Sequence, residues 1–172
     1  MPNFISEDRI ERALLQKLQQ NRRRADFAER LRQIIGRYNA GGSANENYFE
    51  ERVRFTRDLH REEERHLREG LSEDELEVFD LLKKEKTTQD EERKVKPAAR
   101  ALLKRLTTGT PRVLVQEWYK ETQSKKRVEN IVGEILHETL PESYDRALFK
   151  TKCDEVFGLV LDYASQGRKW AA

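Results

Sequence analysis

The last third of the chain decides the fold, and residues 113–167 read VLVQEWYKETQSKKRVENIVGEILHETLPESYDRALFKTKCDEVFGLVLDYASQG. Apolar residues recur every three or four positions here, in two stripes. The first stripe is Val128, Ile131, Val132, Ile135 and Leu136, and the second is Phe149, Cys153, Val156, Phe157, Val160, Leu161 and Ala164. This period is that of one face of an α-helix. The turn at residues 140–143 separates the two predicted helices, and Gly167 ends the second.

The same period continues upstream of this stretch. Three further helices are predicted, of which the first begins at Ser6, the second covers about residues 25–38 and the third runs from Asn45 to Glu69 with Gly70 after its end. Their apolar positions are Ile10, Leu14 and Leu18; Phe27, Leu31, Ile34, Ile35 and Tyr38; and Phe49, Val53, Phe55, Leu59 and Leu67. The segment Asn39–Ser43, which contains Gly41 and Gly42, separates the second helix from the third.

Two capping boxes mark the starts of the next helices. Ser72 with Glu75 and Thr88 with Glu91 each have the Ser/Thr-x-x-Glu spacing that satisfies orphan backbone donors at a helix N-terminus. A hydrophobic staple of Leu71 and Leu76 flanks the first box. The apolar positions that follow are Leu76, Phe79 and Leu82 in one helix and Val95, Leu102, Leu103 and Leu106 in the next.

Two prolines affect the predicted boundaries. Pro97 lies well inside the second capped pattern, where a missing donor and a clash with the preceding turn predict a kink or a break. Residues 107–111 close that segment. Pro111 suits the first turn of another helix, and Leu114, Val115 and Trp118 follow it.

Composition agrees with helices and argues against a sheet. Hydrophobic residues make up 36% of the 172 residues and charged residues 38%. That is enough to cover amphipathic helices but little for a thick sheet core, and runs of β-branched residues are absent. We therefore predict an all-α protein, an irregular bundle of about six to eight helices without a sheet.

Charge and cysteine content limit the class of protein. The net charge is +2, from 34 basic and 32 acidic residues whose signs interleave, so neither disorder by repulsion nor a wholly basic DNA-binding surface is expected. Cys153 is the single cysteine, which fits a reducing compartment and a cytoplasmic location. Residues 1–20 lack the apolar core of a signal peptide, and no apolar run is long enough to span a membrane.

Candidate catalytic and metal-binding residues are few. Glu63 and His66 have the Glu-x-x-His spacing of carboxylate-bridged metal sites, but arginines surround the glutamates, which favours a solvated helix face. Cys153, with His137 the nearest base in sequence, is better explained as a small buried hydrophobe. Phosphate-binding glycine loops and an Asp…Glu-x-Lys nuclease set are missing from the sequence. We expect no catalytic, cofactor or metal site and no small-molecule substrate.

Two kinds of residue are candidates for binding a macromolecule. Trp118 and Tyr119 belong to the types enriched at interface hot spots, although such a pair is more often core, and they are the predicted partner contact. Short basic clusters are the predicted weak contacts to DNA phosphates: Arg22, Arg23 and Arg24; Lys125, Lys126 and Arg127; and Arg168 with Lys169.

Long stretches of the chain resemble the C-terminal helical region of the restriction (R) subunit of type I restriction–modification enzymes. They are NRRRADFAERLRQIIGRYNAGGSANENYFEE, LSEDELEVFDLLKKEK and VQEWYKETQSKKRVENIVGEILHETLPESYDRALFKTKCDEVFGLVLDYASQG. Residues 1–19, MPNFISEDRIERALLQKLQ, resemble the extreme N-terminus of the same subunit. We therefore predict an N-terminal helix over residues 1–20 and a helical domain over residues 21–172. Pro97 departs from the family pattern, in which a residue that continues the helix is expected.

The resemblance implies a function in assembly. In the family, an ATP-dependent type I site-specific deoxyribonuclease, this helical region helps to dock the R subunit on the methyltransferase core. No residue of this chain matches the nuclease and motor motifs, so the resemblance implies a non-catalytic module whose partner is the methyltransferase subunit. Three alternatives stay open: a remnant of an internally deleted gene, a decoy that regulates restriction, and a small DNA-binding helical protein.

Overall fold

The computed structural model describes Arg12, residues 24–39 and residues 45–172. These residues form six α-helices and no strand, which confirms the predicted all-α fold for this part of the chain. The helices are α1 (Ala25–Asn39), α2 (Asn45–Glu69), α3 (Glu73–Leu82), α4 (Gln89–Thr108), α5 (Thr122–Thr139) and α6 (Arg146–Ser165), with a 3-10 turn at Trp118–Lys120. The helix predicted from Ser6, with Ile10, Leu14 and Leu18, lies outside the described residues, as do the boundary after residue 20 and Gly41 and Gly42.

The chain divides into two compact units, residues 1–65 and residues 66–172. This division lies within the range 21–172 that the sequence analysis treats as one helical domain. None of the described helices is both long enough and apolar enough to cross a membrane.

The first unit contains α1 and most of α2, which pack together. Ala28, Leu31 and Ile34 of α1 share a small core with Phe55 and Leu59 of α2. At its edge Arg30 donates to Asp58 at 2.8 Å, and the Tyr38 and Tyr48 rings stack with centroids 4.2 Å apart. The α1 stripe therefore packs as predicted, with Tyr38 at its exposed end.

The predicted apolar face of α2 is wrong. Phe55 and Leu59 are buried, whereas Phe49 and Leu67 are 70% exposed and Val53 is 42% exposed. At about 100° per residue, Phe49 lies about 120° around the helix from Phe55, so the five apolar residues do not form one stripe. Only the pair that faces α1 is buried.

The second unit is built from α3 to α6. Each helix packs on the next in sequence, and α6 also packs on α3, so the four helices close around one core. The predicted apolar residues of α3, Leu76, Phe79 and Leu82, are all buried there. So are the central positions of the last two stripes, Val128, Val132 and Leu136 in α5 and Val156, Val160 and Ala164 in α6.

Both capping boxes form as predicted. The Glu75 backbone donates to Ser72 Oγ at 3.1 Å and the Ser72 backbone donates to Glu75 Oε1 at 2.8 Å. In the second box the Glu91 backbone donates to Thr88 Oγ1 at 3.2 Å and the Thr88 backbone donates to Glu91 Oε1 at 3.3 Å. Leu71 at the staple position is buried in the same core as Leu76.

The helix containing Pro97 does not break. It runs from Gln89 to Thr108 as one element, with Pro97 on its exposed side. Val95, Ala98 and Ala99, which flank the proline, are completely buried. Burial on both sides of Pro97 therefore outweighs the one lost backbone hydrogen bond, so a break is wrong, whereas the kink stays a prediction.

No α-helix begins at Pro111. Residues 109–117 are irregular, and the next helical residues are the 3-10 turn at Trp118. Val113 and Leu114 are 1% and 3% exposed, and Arg105 Nη1 donates to the Pro111 carbonyl at 3.0 Å. Since this segment is irregular, the helix start suggested by the proline is wrong.

Candidate interaction surface

A groove lies between α5 and α6 in the second unit. Its volume is about 690 Å³. Its lining residues are Glu129, Asn130 and Gly133 from α5 and Arg146, Ala147, Phe149, Lys150, Cys153 and Asp154 from α6. We call this surface the α5–α6 groove.

A glycine keeps the groove open. A Cβ atom built on Gly133 would meet nothing within 4 Å, so no side chain fills the space above this helix turn. Phe149 and Cys153 are half-buried and give the groove an apolar floor. Glu129 and Asp154 oppose Arg146 and Lys150 in charge at its rim. An apolar centre with a polar rim is the pattern of protein–protein contact sites.

The apolar floor continues toward the turn between α5 and α6. A second concavity of about 510 Å³ shares Arg146 and Phe149 with the groove and adds His137, Leu140 and Pro141. The His137 ring contacts Phe149 edge to face, with centroids 6.0 Å apart. Sequence analysis assigned Phe149 to a core stripe, and only the packing of the helices shows that one side of it faces a groove.

Trp118 and Tyr119 have different environments. Trp118 is completely buried, and its indole Nε1 donates to the Trp170 carbonyl at 2.7 Å. Tyr119 is half-buried and packs against Trp118 with ring centroids 6.2 Å apart. Of the predicted partner-contact pair, Tyr119 alone offers surface, and a contact through it stays a prediction.

Lys169, near the C-terminus, contacts α3 and α6 in a cluster that sequence analysis missed. Lys169 Nζ donates to Asp74 Oδ1 at 2.6 Å and to Glu77 Oε2 at 3.1 Å. The Tyr163 hydroxyl donates to the other oxygen of Glu77 at 2.6 Å, and the Lys169 ammonium lies 4.3 Å from the Tyr163 ring centroid and 4.5 Å from that of Trp170. We call these five residues the C-terminal clasp. Lys169, taken from sequence as a basic-cluster residue, is engaged by carboxylates of α3.

The remaining basic clusters differ in how far their side chains are exposed. Arg22 and Arg23 lie outside the described residues, and Arg24 is only 5% exposed, so little of its side chain faces solvent. Lys125 is half-buried, whereas Lys126 and Arg127 are exposed on α5. Whether the last two contact DNA phosphates stays a prediction.

The candidate nucleophile and metal ligands have structural surroundings. Burial, with a smaller effect of the Asp154 charge, raises the pKa of the Cys153 thiol to about 11, which disfavours the reactive thiolate. His60 pairs with Glu64 at 3.1 Å and His66 lies 3.9 Å from Glu73. In the part of the chain that the structure describes, no three His, Cys, Asp or Glu side chains are grouped closely enough to hold a metal ion.

Comparison with known proteins finds a family match. The family model for the C-terminal region of the HindI-like endonuclease subunit of type I restriction enzymes matches residues 7–166. No curated protein and no solved structure matches the chain. The matched range includes most of residues 1–20, which the sequence analysis compares with the N-terminal end of an R subunit.

Proposed function

Because the chain belongs to the family of C-terminal regions of HindI-like type I restriction endonuclease subunits, we propose that it is a non-catalytic assembly module. Its partner is the methyltransferase core of a type I restriction–modification system. The observation that carries this proposal is the family match, which extends from residue 7 to residue 166. Docking of the R subunit through this helical region is what the resemblance to that subunit implies.

The α5–α6 groove is the surface through which we propose that docking occurs. Phe149 and Cys153 supply apolar area that a partner side chain would remove from water, at about 25 cal/mol per Å². The four rim charges, two of each sign, orient a partner without creating a strong field of one sign. A hot-spot side chain surrounded by such a rim is typical of specific interfaces.

The first experiment is co-purification of the full chain with the methyltransferase and specificity subunits encoded beside it, followed by determination of the mass of any complex. Docking predicts a stable complex of fixed stoichiometry. If the chain elutes as a separate folded protein at micromolar concentration, the docking proposal is wrong.

Two glycines provide a matched pair of variants for locating the surface. Gly133 in α5 and Gly36 in α1 are both helical, and neither has an atom within 4 Å of the position of a Cβ. Gly133→Arg fills the groove and should weaken the complex at least about tenfold, the cost of losing one hot-spot contact of about 1.4 kcal/mol. Gly36→Arg adds the same side chain outside the groove and should leave affinity unchanged. Equal affinity of both variants would exclude the α5–α6 groove while leaving docking itself intact.

The same complex distinguishes an assembly module from a decoy. A decoy occupies the docking site of a complete R subunit, so adding this chain to an intact enzyme would lower its DNA cleavage in proportion to occupancy. Gly133→Arg, added at the same concentration, should lose this inhibition. Unchanged cleavage at saturating chain concentration would exclude the decoy.

A further inference from the structure

The segment of the chain with the strongest charge bias was not among the predicted clusters. Residues 93–112 contain seven basic residues and no acidic residue, although the whole chain has 34 basic and 32 acidic residues. The seven are Arg93, Lys94, Lys96, Arg100, Lys104, Arg105 and Arg112. Counting charge in a sliding window would have found this segment; the predicted clusters were found as uninterrupted basic runs.

The fold places the central charges of this segment in one row. Leu102 and Leu106 of α4 are buried, together with Val95, Ala98 and Ala99, so the opposite side of the helix faces solvent. Arg93, Arg100 and Lys104 are exposed, and at about 100° per residue they lie within an arc of about 40°. At 1.5 Å per residue the row is about 16 Å long. We call it the α4 basic row.

Carboxylates neutralise little of this row. Arg93 is 3.7 Å from Asp90, but both side chains are largely exposed, and Arg100 Nη2 donates to the Gly70 carbonyl at 2.8 Å rather than to an acid. Lys96 beside the row pairs with Glu69 at 2.6 Å. Among the described residues no carboxylate pairs with Lys104, and the same holds for its neighbours Lys94 and Arg112.

We propose that the α4 basic row binds the phosphate backbone of duplex DNA. Phosphates of one strand follow each other every 3.4 Å or so along the duplex axis, so a row of about 16 Å spans several of them. Lysine and arginine on such a row neutralise phosphates and release counterions without reading bases, so binding is independent of DNA sequence.

The composition of the row favours duplex DNA over other anionic partners. Residues 93–112 contain no aromatic residue, so no aromatic ring there can form a stacking platform for the bases of a single strand. The large apolar side chains that are exposed elsewhere, such as Phe49 and Leu67, have no counterpart on α4 that could enter a membrane. An apolar centre, which a protein partner would require, is also missing from this row.

The test is fluorescence anisotropy of a short labelled DNA duplex with the full chain over a series of salt concentrations. The row variant is R93Q/K104Q, which keeps Arg100 because that side chain caps the Gly70 carbonyl. Loss of two phosphate contacts should lower the slope of log affinity against log salt by about 2 and the affinity at 0.1 M salt by roughly tenfold or more. A duplex of unrelated sequence should show the same losses.

The matched control is K126Q/R127Q on α5, which removes two exposed charges from a cluster that sequence analysis predicted to contact DNA. The proposal expects this control to retain affinity to within a factor of about two. Salt-independent or absent binding by the unmodified chain would overturn the proposal. So would a loss confined to the control, a tighter complex with the single strand, or competition by polyglutamate as strong as that by DNA at equal charge.

Two controls separate DNA binding by the α4 basic row from folding and from docking. Circular dichroism and the thermal midpoint should be unchanged in R93Q/K104Q; if they shift, K104Q alone removes one charge of the row and should lower the salt slope by about 1. The row lies on α4 and the proposed groove on α5 and α6, so R93Q/K104Q should still co-purify with the methyltransferase core. Loss of DNA affinity with docking retained, or the reverse, separates the two proposals.

Discussion

Substitution of Lys169 by methionine should destabilise the second unit by about 1.5–3.5 kcal/mol, because it removes the cation at the centre of the C-terminal clasp. Methionine retains most of the aliphatic stem of lysine, so the change is mainly the loss of charge and of two hydrogen bonds. The affected acceptors are Asp74 and Glu77 on α3.

The magnitude follows from the burial of each contact. The Asp74 side chain is 47% exposed, so its pair with Lys169 is screened and is worth up to about 1 kcal/mol. The Glu77 side chain is only 4% exposed, and removing the partner of a buried charge costs about 3–5 kcal/mol. Because Lys169 is itself 26% exposed and Tyr163 still donates to Glu77, we reduce this value to about 1–2 kcal/mol. Cation–π contact with Tyr163 and Trp170 adds about 0.5 kcal/mol.

The assay is urea unfolding followed by tryptophan fluorescence. Both tryptophans, Trp118 and Trp170, belong to the unit of residues 66–172, so the signal reports that unit alone. The matched control is Lys120→Met. The Lys120 ammonium lies 2.7 Å from Glu117, nearly the same distance as from Lys169 to Asp74. The Lys120 and Glu117 side chains, however, are both more than half exposed. The control should leave the unfolding midpoint unchanged.

A midpoint for Lys169→Met equal to that of the control would refute the argument from burial. A double-mutant cycle with Glu77→Gln adds a second test, since the neutral amide no longer needs a counter-charge. Lys169→Met should then cost at least about 1 kcal/mol less than in the unmodified chain. Strict additivity of the two changes would show that Glu77 and Lys169 do not interact.

Three further measurements test other parts of the structure. The hydrogen bond from Lys84, with smaller contributions from Ser143 and Thr88, lowers the pKa of Glu91 to about 2. Because the pKa of Glu91 in the folded chain lies below the ordinary value of 4.5, the ionised carboxylate stabilises the fold fully above pH 4.5, and this contribution declines as the pH falls toward 2. In NMR titration, Lys84→Met should move the titration midpoint of Glu91 back toward 4.5. Cys153, with a pKa of about 11, should react with iodoacetamide at pH 8 at least about tenfold more slowly than a thiol of pKa 9, since its thiolate fraction is about 100-fold lower and the greater nucleophilicity of a more basic thiolate offsets part of that loss; a rate equal to that of a free thiol would contradict its burial. Gly133→Ala should stabilise the second unit by about 0.5–1 kcal/mol in urea unfolding, because alanine favours the helix and its methyl group meets no other atom; a destabilised variant would show that the groove floor is closed.

The starts of α3 and α4 could be predicted from sequence alone because their signals are local. In each capping box the two partners are three residues apart, so the hydrogen bonds need no residue from elsewhere in the chain. The stripes of α5 and α6 were equally clear, because their apolar period was long and uninterrupted. The family resemblance rested on residues 1–19, 21–51, 71–86 and 115–167, which include α3, α5 and α6 but not α4.

The errors came from places where local preference and tertiary packing disagree. Pro97 opposes a helix locally, but the buried residues on both sides of it hold α4 intact. Pro111 favours a helix start locally, but the chain after it is irregular, with Val113 and Leu114 buried. Burying an apolar side chain is worth about 1.5–3 kcal/mol, which is comparable with the local penalty of a proline, so a sequence pattern cannot decide such cases.

The candidate surfaces depended even more on the tertiary structure. Sequence identified Phe149 and Gly133 only as members of helices, and the packing of α5 on α6 turned them into the floor and the opening of a groove. The row of Arg93, Arg100 and Lys104 follows from helical geometry, but its exposure required the opposite side of α4 to be buried.

The sequence by itself determined that this protein is helical, where four of its helices begin or end, and which family it belongs to, because those properties reside in spacings of three to seven residues and in long stretches of similar sequence. The tertiary structure alone decided that Phe49 and Leu67 stay exposed and that Lys169 reaches carboxylates 92 and 95 residues earlier in the chain. The physical reason is that burial and charge pairing depend on which side chains meet across the fold, and such meetings between residues far apart in sequence leave no periodic trace in it.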